Sequence, residues 1–352
     1  MARRAEGAGR ILTYRHAIGT INMPCRNGKA GWKPNTMNIS LGINTGFAIN
    51  RFPRPEDWIP VVSQELGLDT VQFTADLLNP FLPDSLIERD VARIRELCGR
   101  SGIRVETAFT SAFTRVNHVL HPDLEMRRVW LGWLKRFIDI SAALGASGMG
   151  SHFGIMSVHD NAEPELREER IAGGVAAWRE LSEHAASRGL DYVMFEPMSI
   201  PREVGETITA TRGILDRCTE GFAVPMRLCL DVDHGDLESS EPRDTDPHAW
   251  IRAFAGEIAC IHVKQSVRDK GGHYPFTREF NEQGKIVPEE IIGTMASAGI
   301  EDCTLLLEIS HRERWPAEYR VLHDLKASVA YWKRALEAAA ARKQDVPGGG
   351  FV

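Results

Sequence analysis

Eight short apolar runs, most of them followed by a stretch with helical spacing, succeed one another between Met37 and Ala341, and that alternation leaves few folds open. The runs are Ile39–Ile43, Thr70–Thr74, Ile103–Phe109, Ala146–Met149, Tyr192–Phe195, Leu228–Leu230, Ile258–Val263 and Thr304–Leu307. Strands this short and this apolar are buried on both faces, as in a parallel sheet covered by helices. The intervening segments supply the helices. Glu56–Leu66 enters through Pro53 and Pro55 and stops at Gly67. Ser85–Cys98 spaces Leu86, Ile87, Val91, Ile94 and Leu97 along one side and stops at Gly99. Leu124–Leu144 carries Trp130, Trp133, Leu134, Phe137 and Ile138 on its apolar side. Further helices are read near Pro164–Ser187, Glu206–Cys218, Pro247–Phe254, Pro288–Ala298 and Leu322–Ala341. Eight strand–helix units predict an α/β fold closed into a single (β/α)8 TIM barrel. An open doubly wound sheet is the alternative, but no Gly-x-Gly-x-x-Gly follows the first strand and no P-loop is present.

The barrel is expected over residues 37–342. Residues 1–36 lack apolar periodicity and read as a disordered extension, and residues 343–352 as a Gly-rich tail. The extension holds seven Arg and Lys against Glu6 alone, so the net charge of −6 leaves a body near −12. An acidic body excludes a nucleic-acid partner. No run approaches the roughly 18 apolar residues of a membrane span, and no apolar segment near the start forms a secretory signal. Six cysteines without a C-x-x-C spacing read as buried free thiols, and a cytoplasmic location is expected.

Four consecutive apolar runs end in side chains that bind metals. Val193-Met-Phe ends in Glu196, Leu228-Cys-Leu in Asp231, Ile258-Ala-Cys-Ile in His262 and Leu305-Leu-Leu in Glu308. In a parallel barrel the C-terminal strand ends form the active-site mouth, so these four converge there. Three carboxylates and one imidazole make a hard donor set, suited to one divalent ion: Mn²⁺, Mg²⁺ or Co²⁺, with Zn²⁺ also compatible. His234, Arg268, Glu106 and His152 sit on or just beyond strand ends and are candidates to orient a polyhydroxylated ligand. The segment Lys264–Arg278 adds Lys264, Lys270 and His273 around Gly271-Gly272. A basic loop over an acidic site suggests an anionic substrate such as a phosphate ester, with Arg202 a further phosphate candidate.

This pattern resembles the xylose isomerase-like TIM barrels (the AP endonuclease 2 family). In the sugar 3-epimerase branch of that family, one divalent metal is held by Glu, Asp, His and Glu from strands five to eight. The resemblance places Glu196, Asp231, His262 and Glu308 in those positions. It also matches His234 to a substrate-binding His in D-x-x-H, and Arg268 to a substrate Arg six residues beyond the His ligand. A narrower likeness, to the epimerases of erythrulose phosphate in bacterial erythritol catabolism, runs from Met37 to Trp332. It rests on Ile49-Asn-Arg-Phe, Glu196-Pro-Met-Ser-Ile, Asp233-His-Gly-Asp, Ile261-His-Val-Lys-Gln-Ser, Asp269-Lys-Gly-Gly-His and Pro275-Phe-Thr. Epimerases of unphosphorylated ketoses carry a sugar-contacting Glu where Arg202 stands here, which favours a phosphorylated sugar.

What the resemblance implies is epimerisation at the carbinol carbon beside a ketone. Glu196 and Glu308 would act as opposed acid and base, and the metal would stabilise the enediolate. A 1,2-aldose–ketose isomerase, a sugar dehydratase and a non-catalytic sugar-phosphate binding protein are the competing readings. Barrels of this family often associate, so a homo-oligomer is also expected.

Overall fold

The structure is a computed structural model and describes residues 38–111, 114–268, 271–311 and 318–344. The basic extension, Lys270 and most of the Gly-rich tail lie outside the described residues.

Eight parallel strands close on themselves: β1 (Asn38–Asn44), β2 (Thr70–Thr74), β3 (Arg104–Phe109), β4 (Gly148–His152), β5 (Tyr192–Glu196), β6 (Met226–Asp231), β7 (Ile258–Val263) and β10 (Asp302–Leu307). Closure is made by β1 against β10, in register from Asn38↔Asp302 to Ile43↔Leu307. The fold is therefore a TIM barrel. The intervening β8 (Gln265–Val267) and β9 (Gly271–Tyr274) form a separate antiparallel hairpin above the mouth. The sequence reading took this segment for a loop, because its charged residues show no apolar alternation.

Local chemistry fixes the helix ends. In α3 (Leu124–Leu144) the Asp123 carboxylate accepts from the Glu125 and Met126 N–H groups, and Gly145, at φ 87°, ends the helix in the left-handed region. In α2 (Asp84–Ser101), Gly102 does the same at φ 68°. The first helix differs from expectation. α1 (Pro55–Pro60) gives way to a wide π-type turn at Val61–Glu65, since Pro60 has no N–H to continue the α-helical ladder.

The core has two layers. Between sheet and helices, Trp58, Trp133, Phe137, Trp178 and Trp332 are buried against strand residues such as Val71, Phe73 and Phe195. Inside the barrel, Phe109, Met194, Cys229, Cys260 and Leu306 fill a smaller cluster. The five described cysteines are free and buried. No helix among the described residues is long and apolar enough to cross a membrane.

Candidate active site

The strand order β10-β7-β6-β5 places Glu308, His262, Asp231 and Glu196 side by side along the C-terminal rim. Each residue offers one ligand atom, and these atoms lie within 4.8 Å of one another. His262 Nδ1 stands 3.1 Å from Glu196 Oε1 and 3.6 Å from Glu308 Oε2. The Asp231 side chain is fully buried; its Oδ1 accepts from the Asp233 N–H at 2.7 Å.

His262 is oriented from across the barrel. Its Nε2 meets Gln72 Oε1 at 2.6 Å, and Gln72 is held in turn by Asn44 Nδ2 at 2.7 Å and by its own donation to Thr107 Oγ1 at 3.1 Å. A proton on Nε2 satisfies Gln72 and leaves the Nδ1 lone pair for the cluster. Neither Gln72 nor Asn44 figured in the sequence reading. The signal available was a glutamine in the centre of the buried run Thr70–Thr74, all of it inaccessible.

Lys264 departs from expectation. It does not belong to a solvated basic loop; it is 1% exposed, with Nζ 2.7 Å from Asp231 Oδ2 and 3.5 Å from Glu308 Oε2. It also meets His273 Nε2 at 3.1 Å. Burial opposes the ammonium, but Asp231 and Glu308 outweigh it and hold the lysine firmly protonated. Burial likewise opposes ionisation of Glu308, and His262, Lys264 and His273 hold its carboxyl well below the usual range. Burial would lower the His262 imidazole, yet with no cation present Glu308 and Glu196 bring it up to about 10, so a cation bound at Nδ1 would displace a proton.

These residues fit a divalent cation. Asp231 Oδ2 and Glu308 Oε2 are buried oxygens without an aligned hydrogen-bond donor, even with the Lys264 ammonium close by. Buried carboxylate oxygens are otherwise paired with donors or with metal. A second grouping, Glu196 with Cys229 and His262, is a poorer candidate. Burial drives the Cys229 thiol well above its normal value, so it remains protonated, and its sulfur faces His262 Nε2 at 3.2 Å, on the Gln72 side of the ring.

Above the cluster lies a cavity of about 230 Å³, lined by Glu196, Glu308, His152, His234, His273, Arg115 and Ser111 among others. His152 Nε2 stands 3.9 Å and His234 Nδ1 3.7 Å from the Glu196 carboxylate. His234 is fixed by Pro197 O at 3.0 Å from the same Nδ1.

Three sequence candidates are not brought to this cavity. Glu106 lies in the lower half of β3 and pairs with Arg104. Strand alternation decides this, since the C-terminal end of β3 is Phe109. Arg268 is exposed just beyond β8 and does not line the cavity. Arg202 lies on the turn Pro201–Glu203, where its carbonyl accepts from Met156, and it does not line the cavity. The next residue, Glu203, is the buried one, and it pairs with Arg115 at 2.9 Å.

A closed parallel eight-stranded barrel whose C-terminal mouth holds a cavity lined by Glu196 and Glu308 has the layout of a TIM-barrel enzyme. The chain belongs to the xylose isomerase-like TIM barrel family, whose model matches residues 62–328. A Brucella abortus protein named D-erythrulose 1-phosphate 3-epimerase is 41% identical over 305 residues, covering 86% of this chain and 98% of that protein. A Rhodospirillum rubrum structure named after xylose isomerase superposes with a TM-score of 0.78 at 28% identity, covering 84% of this chain and 99% of the other. A solved L-ribulose 3-epimerase shares the fold, with a TM-score of 0.65 at 18% identity over 89% of this chain and 99% of the other.

Proposed function

We propose that the protein inverts the carbinol carbon beside the ketone of a small ketose phosphate, erythrulose phosphate, by proton transfer between two opposed glutamates. The observation that carries this reading is the placement of Glu196 and Glu308. Both line the cavity, and they arise from strands three positions apart in the barrel wall, with β6 and β7 between. In this reading the two carboxylates, coming from different strands, face a bound carbon from different sides. The 41% identical relative bears the name of such an epimerase.

Glu196, Asp231, His262 and Glu308 would hold one divalent cation. When bound, it supplies Lewis-acid stabilisation of the negative charge that develops on the substrate oxygens. The protein's own residues do the rest. One glutamate takes the carbinol proton, the electron pair of the broken C–H bond forms a double bond to the ketone carbon, and the carbonyl π pair moves onto the ketone oxygen. The enediolate so formed is then protonated on its other face by the second glutamate. The two exchange roles when the substrate has the opposite hand. His234 and His152, beside Glu196, can donate to substrate hydroxyls and restore the proton of that carboxyl. His262, the buried Lys264 and His273 favour the ionised form of Glu308, the form in which it takes the proton of one hand of the substrate. The resident cation is Mn²⁺, Mg²⁺ or Co²⁺ on the hardness of the donor set. A cytoplasmic location and self-association remain part of this reading.

The test is proton NMR of a tetrulose phosphate incubated with the Mn²⁺-loaded protein in D₂O, with the metal removed before the spectrum is taken. Inversion with deuterium at the carbinol carbon beside the ketone supports the epimerase. Aldose formation with deuterium at the other carbon supports the 1,2-isomerase instead, and no exchange at either carbon rejects both.

A further inference from the structure

We propose that Arg115, held by Glu203, is the anchor for the phosphate monoester of the substrate. The proposal deepens the reading above and rests on it for the identity of the ligand. Among the described residues that line the cavity, Arg115 is the only arginine or lysine. The reacting end of the cavity carries Glu196 and Glu308, with Asp231 behind them, and repels a dianion. The ammonium of Lys264 is already committed to Asp231, Glu308 and His273. A phosphate therefore finds its lysine or arginine partner, among the described lining residues, at Arg115.

The geometry of the pair supports this. Arg115 Nε donates to Glu203 Oε1 at 3.2 Å, and Nη2 donates to Oε2 at 2.9 Å. A guanidinium has five N–H donors, and this fork uses one edge only. Among the described residues, both hydrogens of Nη1 and one of Nη2 have no partner, and Arg115 lines the cavity. Exposure divides the pair in the same way: the Glu203 side chain is 4% exposed and that of Arg115 54%. The carboxylate is the buried brace and the guanidinium the presented face.

Both loops that bring the pair together hold backbone strain. Ser111, also on the cavity wall, has φ 64°, and so does Val204, which follows Glu203. For a β-branched valine that region is costly and persists only where surrounding structure enforces it. The turn Pro201–Glu203 is closed by the Glu203 N–H on Ile200 O at 2.9 Å, so the brace is set before any ligand arrives. The subsite is also continuous with the reacting end. Arg115, His152 and Glu196 line the same cavity, and His152 Nε2 stands 3.9 Å from the Glu196 carboxylate.

The test is calorimetric titration of the metal-loaded protein with methyl phosphate and with inorganic phosphate, for wild type, Arg115→Met and Arg115→Lys. Methyl phosphate binding weakened at least 30-fold by Arg115→Met and partly restored in Arg115→Lys is the expected result. Inorganic phosphate bound more tightly than methyl phosphate would point to a free-phosphate site and overturn the monoester assignment. An unchanged affinity in Arg115→Met, or no binding by wild type, would overturn the subsite altogether. In turnover, the preference for tetrulose phosphate over unphosphorylated tetrulose falls about 100-fold in Arg115→Met. Glu203→Gln raises KM for the phosphorylated substrate about tenfold with kcat within threefold, a split that a merely structural role would not give. Failure of the epimerase reading shows separately, as wild type that binds methyl phosphate through Arg115 but turns over no tetrulose phosphate.

Discussion

The Lys264 ammonium stands 2.7 Å from Asp231 Oδ2, both side chains sealed from solvent, one just beyond the end of β7 and the other ending β6. A fixed positive charge is thus built into the wall of a carboxylate cluster. Removing one partner of a buried pair strands the other. Lys264→Met is expected to destabilise the metal-free protein by about 3–5 kcal/mol. Urea unfolding of chelator-treated protein measures this, and Mn²⁺ should restore more stability to the variant than to wild type. Equal midpoints for the two metal-free proteins would show that the pair contributes nothing.

Glu196→Gln and Glu308→Gln are each expected to slow inversion by about 10²–10⁴-fold, the range of a lost general acid or base. The two variants should differ in isotope exchange. Each retains deuterium uptake from only one hand of the substrate, the hand whose proton faces the surviving carboxylate. Uptake from both hands in one variant would exclude a two-base scheme.

Gln72 lies on a strand that supplies no ligand, yet it fixes the ring of His262 at 2.6 Å. Gln72→Ala should weaken divalent-metal affinity about 10–100-fold, the usual effect of losing a partner that orients a ligand. Competition against a fluorescent chelator reads this directly, independent of turnover.

His118 is buried at φ 33°; its Nδ1 accepts from the Val119 N–H at 2.8 Å, and its Nε2 has no partner. Burial, aided by His152, lowers this imidazole from 6.5 to about 3. The folded state therefore keeps it neutral while the unfolded chain takes up a proton below 6.5. Its contribution is present above pH 6.5 and is lost as the pH falls toward 3, at up to about 1.4 kcal/mol per pH unit. The acid arm of the Tm–pH profile should be shallower in His118→Leu, and an identical slope would reject this.

The barrel was legible because a parallel strand sealed on both sides has to be written in apolar residues, and Thr70–Thr74, Leu124–Leu144 and Ile258–Val263 were read to their observed limits. Glu196, Asp231, His262 and Glu308 could be seen converging for a related reason: a polar residue that terminates an apolar strand has only the mouth to occupy. Arg268 and Arg202 mark the boundary of that reasoning. Counting six residues beyond a strand end gives no direction, because the path of a loop depends on its own hydrogen bonds. Arg115 and Glu203 were missed for the same reason, since they are 88 residues apart and meet only through two folded loops.

Asp233 receives the Gly272 N–H at 3.1 Å and the Lys285 ammonium at 2.8 Å, and it also binds the Ser266 hydroxyl, which fastens the hairpin that holds His273 over the cavity. Floor, side and ceiling of the chamber thus come from four successive residues, Asp231 to His234. A change at Asp233 therefore reaches the cavity from a distance, through the hairpin that carries His273, although Asp233 itself is not part of the lining.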